Sequence, residues 1–482
     1  MRRIISISVI LALMSACAPS PHDVEKVDSA PSIYPDYIGV TIPADIAPLD
    51  FEVDGADYLY ATVSGGKSGE ISADGQYADF DIDGWHQLTR LNMGDSLYFD
   101  VKALKDGKWY EYRRFAMAVS ADSLTEWGLT YRRIDPGYET YNHIGIYQRN
   151  IHDFNEYVIV DHNGLPGSCM NCHVANRCNP ESFQLHVRGP HSATLIQQGG
   201  RRKLLTTKTD STYANCMYPY WHPSGKYCAY GVGTIHQVFW ESGDKYIEAF
   251  EDKSQAVVLD IDSNKLITSP LLNSQATFPV FSPDGGKIYY CVSAPWYSHQ
   301  KFSKMQYNIC SLPFDAQAGK ICTEIDTVVN AVMLGKSAVH PRPSYDGRFL
   351  MFTVSDYTVF PIYHPEAELY LLDLADGKIR CMDEVNSSQS DDYHNWSTNS
   401  RWFVFTSRRL NGTNSLLYIS HIDEHGHASK PFILPQRNPG KFYREFIQSY
   451  NVPDFTTSKV ELDMREFRQE VFSSDRIQVR YN

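Results

Sequence analysis

From Val160 to Phe183 the chain reads VDHNGLPGSCMNCHVANRCNPESF, with two residues between Cys169 and Cys172 and His173 directly after the second thiol. Two thiols at this spacing on one turn can reach the two vinyl groups of a single porphyrin while the next imidazole binds its iron, the attachment pattern of haem c. With 10 Cys and 17 His among 482 residues, such a string arises by chance only ~0.007 times per chain. Two other chemistries stay open. Zinc could be held by Cys169, Cys172 and Cys178 with His173, although adjacent residues reach one ion only with strain. A redox dithiol or structural disulfide could form instead, leaving Cys178 over.

A single CxxCH names one axial ligand, His173, and no sixth ligand. His162, His186, His191, His222 and Met217 are the nearby donors, with His186 or His191 as the named candidates. His186 falls on the polar side of the alternation in FQLHVRG, where an exposed, non-ligating histidine is expected. Arg188, Arg201 and Arg202 are placed in sequence to pair with propionates. Gly164, Pro166 and Gly167 would let the backbone turn against a flat ring, and would equally serve an ordinary loop.

The elements around this segment begin with an export signal. Arg2 and Arg3 precede an apolar run from Ile4 to Met14 that is too short to span a bilayer. Ser15 and Ala16 stand before Cys17, which resembles the bacterial lipobox, with Met14 at the position where Leu is usual. The resemblance implies a signal peptide over 1–16 and acylation of Cys17, which would anchor the chain to a membrane. It is followed by a polar tether over 17–33, and Ala18 after the cysteine resembles the outer-membrane sorting pattern. Haem is attached to such motifs outside the cytoplasm, so the export signal and the CxxCH agree.

The remaining length suits two or three compact units, and 43% apolar with 21% charged residues is a globular composition. A net charge of −13 disfavours nucleic acid as a partner, because such binding is driven by Lys and Arg displacing counterions. Residues 34–135 carry short β-branched and aromatic runs between Gly and Asp turns, predicting a small β-sandwich. The GGKSG at 65–69 has Ala61 where a phosphate loop needs Gly, and is read as a hairpin turn. Residues 136–182 are read as a loop-rich segment holding the CxxCH.

From about residue 200 onward an imperfect repeat is visible. YPYWHPSGKYCAYGV, FPVFSPDGGKIYYCVS, HPRPSYDGRFLMFTVS and HNWSTNSRWFVFTSRR each join an aromatic or Pro lead-in, a polar turn and an apolar strand. The turns at Phe281-Ser-Pro-Asp-Gly285 and Trp221-His-Pro-Ser-Gly225 resemble those of TolB-like β-propellers, with degenerate copies at Asp346-Gly347 and Thr398-Asn399-Ser400. The resemblance covers about half of the chain and implies an all-β propeller of about five to six blades, read over 183–440, whose rim would dock envelope or redox proteins. FQLHVRG, HSATLIQQ and RRKLLTT could supply a further blade, and 441–482 would cap or close the ring. No GxSxG nucleophile motif occurs, and no catalytic constellation is legible. The reading is a lipid-anchored haem c protein for electron transfer or redox sensing. Its alternative is a haem-free interaction scaffold, and a haem peroxidase ranks third.

Overall fold

The computed structural model describes residues 19–136, 143–239, 247–295, 302–473 and 475–481. Cys17 and the export signal lie outside the described residues. The N-terminal unit differs from the expected sandwich. Instead of two facing sheets it has one seven-stranded sheet, centred on Tyr58–Gly65 and Asp95–Lys105, and a separate two-stranded ribbon. Helix Ile82–Leu91 covers part of that sheet, capped by Asp81, whose carboxylate accepts from the Gly84 N–H at 2.8 Å. The helix buries Trp85 and Leu88 among Phe51, Phe80 and Phe99. One helix face thus does what a second sheet was expected to do, because the period-2 alternation of the strands specifies only that one face be covered.

Six antiparallel sheets follow among the described residues, and they form a β-propeller. The innermost strands are Cys169–Asn176, Met217–Trp221, Ala276–Phe281, Ser337–Pro343, Asp391–Trp396 and Ser449–Thr456. Each touches the next, and the last touches the first, so they line a closed ring. Closure comes from Ser449–Thr456, which pairs with Gly128–Ile134 to complete the first sheet. Two short strands beyond it, Ile477–Gln478 and Arg480–Tyr481, run parallel to the outer edges of the second and third sheets.

Three expectations are corrected. Gly128–Ile134, assigned to the N-terminal unit, belongs to the ring. Residues 144–150 and 156–161 are strands of that same sheet rather than loop. The CxxCH lies in the strand Cys169–Asn176 and not on a turn. Burial explains part of this, since Gly128–Ile134 and Ile144–Asn150 are covered over runs of consecutive residues and show no clean alternation.

The turn repeat has a common bonding scheme. In the fourth sheet Ser282 Oγ bonds Asp284 at 2.5 Å and accepts from the Lys287 N–H at 2.9 Å, with Gly285 at φ +76°. The sixth sheet keeps the same bonds with Ser397 and Asn399, at 2.7 Å, and with the Trp402 N–H, at 3.0 Å. Its Ser400 takes the left-handed position that Gly fills elsewhere.

Candidate functional site

Each inner strand carries a β-bulge where its ladder skips a residue: between Asn171 and Val174, Met217 and Tyr220, Thr277 and Val280, Val339 and Arg342, Asp392 and Asn395, and, opposite Thr130 and Arg132, between Asn451 and Asp454, with a second irregularity in Cys169–Asn176 between Ala175 and Asn176. At each bulge one residue is left-handed: Cys172, Tyr218, Phe278, His340, Tyr393 and Val452, with φ from 46° to 54°. A bulge re-aims a side chain by spending one extra residue, and here all six are aimed at the ring axis. The following residue is Pro at four bulges, where the lost N–H costs little because the ladder is already broken. In the second and sixth sheets it is His173 and His394.

All six left-handed residues line a central cavity of about 920 Å³, within the ~300–1,000 Å³ of ligand and cofactor sites. Part of its wall is aromatic. Ring centroids lie 4.3 Å apart for Tyr218 and Phe278, 4.4 Å for Phe278 and His340, and 5.1 Å for His340 and Tyr393. Arg132, Arg177, Arg188 and Arg342 also reach the cavity.

Cys169, Cys172 and His173 are all on this wall. Residues three apart in a regular strand face opposite sides, and the bulge at Cys172 removes that obstacle. Both thiols are free and half-buried. Burial pushes the Cys169 thiol up, with Arg132 and Arg188 opposing. The His173 imidazole is only 3% exposed, and burial lowers its pKa to about 4 against a hydrogen bond to the Thr130 backbone. It is therefore neutral near pH 7, and its buried Nε2 has no hydrogen-bond partner. A neutral imidazole with one nitrogen held by backbone and the other free is the form that binds a metal. The residues present thus fit a haem c.

The other sequence candidates divide sharply. His162 and Arg188 line the cavity. His186 does not: it is buried, bonds Thr194 Oγ1 through Nδ1 at 2.9 Å, and has its pKa lowered to about 3 by burial. Its expected exposure fails because Phe183 to Val187 are covered on both faces. His191 packs tilted against Phe472 at 4.3 Å, outside the cavity wall. His222 sits in its blade turn with Nδ1 2.7 Å from Ser224 Oγ, and Met217 Sδ is met by Arg188 Nη2 at 2.8 Å. Arg202 is bound to Glu466 and Glu470, both at 2.8 Å, on the outer side of its sheet. Cys178 turns toward Tyr345 and the Trp396 carbonyl. Among the described residues no three His, Cys, Asp or Glu side chains converge as a metal-holding group.

Sequence reasoning missed His340, His394 and the aromatic wall. A signal existed: Tyr218, Phe278, His340 and Tyr393 each stand seven residues before the left-handed turn residue Gly225, Gly285, Gly347 or Ser400.

No known protein family and no curated protein matches this sequence. Among solved structures it is similar to TolB from Acinetobacter baumannii, at 10% identity over 78% of this chain and 86% of that one, with a TM-score of 0.46. It is also similar to the putative TolB from Agrobacterium tumefaciens, at 12% identity, 69% and 99% coverage and a TM-score of 0.38. A third is the hypothetical selenium-binding protein from Sulfolobus tokodaii, at 10% identity, 85% and 95% coverage and a TM-score of 0.40. The propeller assignment rests on the strand pairing and ring closure of the chain itself.

Proposed function

We propose that this chain is an envelope lipoprotein in which a covalently attached haem c occupies the central cavity and serves electron transfer or redox sensing, while the propeller rim docks partner proteins. The observation that carries the reading is the meeting of two free thiols and an unpartnered, buried imidazole nitrogen on one wall of a cavity of about 920 Å³. When bound, haem supplies a one-electron iron couple. Cys169 and Cys172 would each add their S–H across one vinyl group, a step that needs neither oxidant nor leaving group. His173 would hold the iron through Nε2. The aromatic wall lowers the local dielectric and limits water, which tunes a redox potential. Envelope location is supported by the signal and lipobox patterns, and no helix among the described residues is long and apolar enough to cross a membrane.

The full chain made in a host with haem-attachment machinery is expected to carry one haem by intact mass and to give a pyridine haemochrome after denaturation. Colourless protein with both thiols free or mutually bridged would overturn the reading. One observation favours the haem-free scaffold as the second reading: Cys172-His173 fills the bulge that Phe278-Pro279 fills in the fourth sheet, so the pair has a place in the fold without any cofactor.

A further inference from the structure

We infer that His340 is the second axial ligand of the haem iron, facing His173 from the opposite wall of the cavity and held there by Asp392. The inference rests on the haem reading above and adds to it a ligand that the CxxCH does not contain.

The ring order makes the placement specific. His340 lies on the inner strand of the fifth sheet and His173 on that of the second, with two sheets between them in either direction around the ring. His340 holds the left-handed bulge position that Cys172 holds opposite, and both line the same cavity. The imidazole is 4% exposed. Its Nδ1 lies 2.7 Å from Asp392 Oδ1, and Asp392 is itself fully buried and accepts from Thr353 Oγ1 at 2.7 Å. Phe278 makes a T-shaped contact at 4.4 Å and Tyr393 stacks at 5.1 Å, so an aromatic ring from each neighbouring sheet packs on the imidazole. The remaining nitrogen, Nε2, is buried and has no hydrogen-bond partner.

A buried nitrogen without a partner carries a desolvation cost that a metal bond would remove. The carboxylate on the other nitrogen fixes the tautomer, with the proton on Nδ1 and the lone pair on Nε2, and makes the imidazole a stronger donor. This carboxylate–histidine arrangement distinguishes His340 from the other cavity histidines. His394 has no carboxylate hydrogen-bonded to either nitrogen, only a backbone contact with Met351, and it follows its bulge residue in the place where Pro stands in four other sheets. His162 also lines the cavity, with Nδ1 unpartnered, but sits in the segment after strand Glu156–Asp161 and not on an inner strand.

The test uses the full chain produced with haem-attachment machinery, read by intact mass, electron paramagnetic resonance of the ferric form, and carbon monoxide binding to the ferrous form. Wild type is expected to be six-coordinate and low-spin and to bind carbon monoxide poorly. His340→Ala is expected to keep the covalent haem mass, lose the low-spin signal, bind carbon monoxide readily and recover the low-spin signal on addition of imidazole. His162→Ala and His394→Ala are expected to stay low-spin. Should His340→Ala fail to accumulate, His340→Met offers a thioether of similar volume and is expected to stay six-coordinate with a raised reduction potential; an unchanged potential would overturn the inference. A haem-bearing wild type that is high-spin, or a low-spin His340→Ala, overturns this ligand assignment alone. A wild type without haem overturns the underlying reading and the ligand with it.

Discussion

The inner strands of the second and fourth sheets make an instructive pair. Both break their ladder at a bulge that places one residue in the left-handed region, Cys172 at φ +53° and Phe278 at φ +47°. In the fourth sheet the device presents an aromatic ring and is followed by proline. In the second it presents a thiol and is followed by an imidazole. The backbone irregularity is therefore a property of the ring, repeated six times, and the chemistry is a substitution made on top of it. A reactive pair placed at such a bulge needs no local distortion beyond what the fold already contains.

The largest effect expected from breaking this comparison is chemical. Replacing both Cys169 and Cys172 with Ser should abolish the haem mass increment completely while leaving the secondary structure seen by circular dichroism intact. The same substitution in a haem-free scaffold would change the mass only by the two side chains.

The next contrast is energetic. Phe278 is 5% exposed and packs on Tyr218, His340 and Phe360, so Phe278→Ala should cost about 3–5 kcal/mol in denaturant unfolding. Cys172→Ala, at a half-buried position, should cost less than about 1.5 kcal/mol in protein without haem. Equal costs would mean that the thiol is packed like the phenyl ring, and the two bulges would no longer differ in kind.

A third test uses pH. Burial pushes the Asp454 carboxyl up to about 7, with the Ala175 N–H and Arg342 opposing. An unfolded aspartate ionises near pH 4. Between those values the folded chain holds a proton that the unfolded chain has released, so stability falls as pH rises through the window and levels off above about 7. At pH 4 the cost is absent. Asp454→Asn removes it, and melting temperatures of variant and wild type should diverge in favour of the variant between pH 4.5 and 8. Glu251 and Asp50, raised by burial to about 7 and about 8, act with the same sign in both proteins and cancel from the difference.

The smallest effect concerns the turns. Gly285 and Gly347 share φ +76°, yet a Cβ on Gly285 would come within 2.1 Å of His222 Nε2, while one on Gly347 meets nothing within 4 Å. Gly347→Ala should cost about 1 kcal/mol from backbone conformation alone. Gly285→Ala should cost more, and chemical denaturation of the two variants side by side measures the excess.

Much of this was legible in the sequence, for reasons that differ by region. The turns announced themselves because Ser, Asp and Gly are demanded by specific bonds and a left-handed residue, as at Ser282, Asp284 and Gly285. Thr398-Asn399-Ser400 looked degenerate, yet Ser397 and Asn399 make the same bonds, so the physical requirement was narrower than the motif. The triplet Cys169, Cys172 and His173 was found by spacing, but its setting was misjudged: spacing carries no information on whether the residues lie on a turn or on a bulged strand. His340 was hidden for the opposite reason. Its role depends on Asp392, 52 residues away, and a pairing across adjacent sheets leaves no local pattern. The first sheet was missed because its innermost strand comes from the far end of the chain.

That last strand also decides which part of the chain completes the chamber. Arg133 and Gln448, 315 residues apart, are joined by a side-chain hydrogen bond at the seam of the first sheet. Until Ser449–Thr456 docks, the chamber is a trough with one side missing and the thiols of the second sheet stand at its open flank. Closing the chamber therefore depends on the far end of the chain, and loss of Ser449–Thr456 would open its wall directly beside the second sheet.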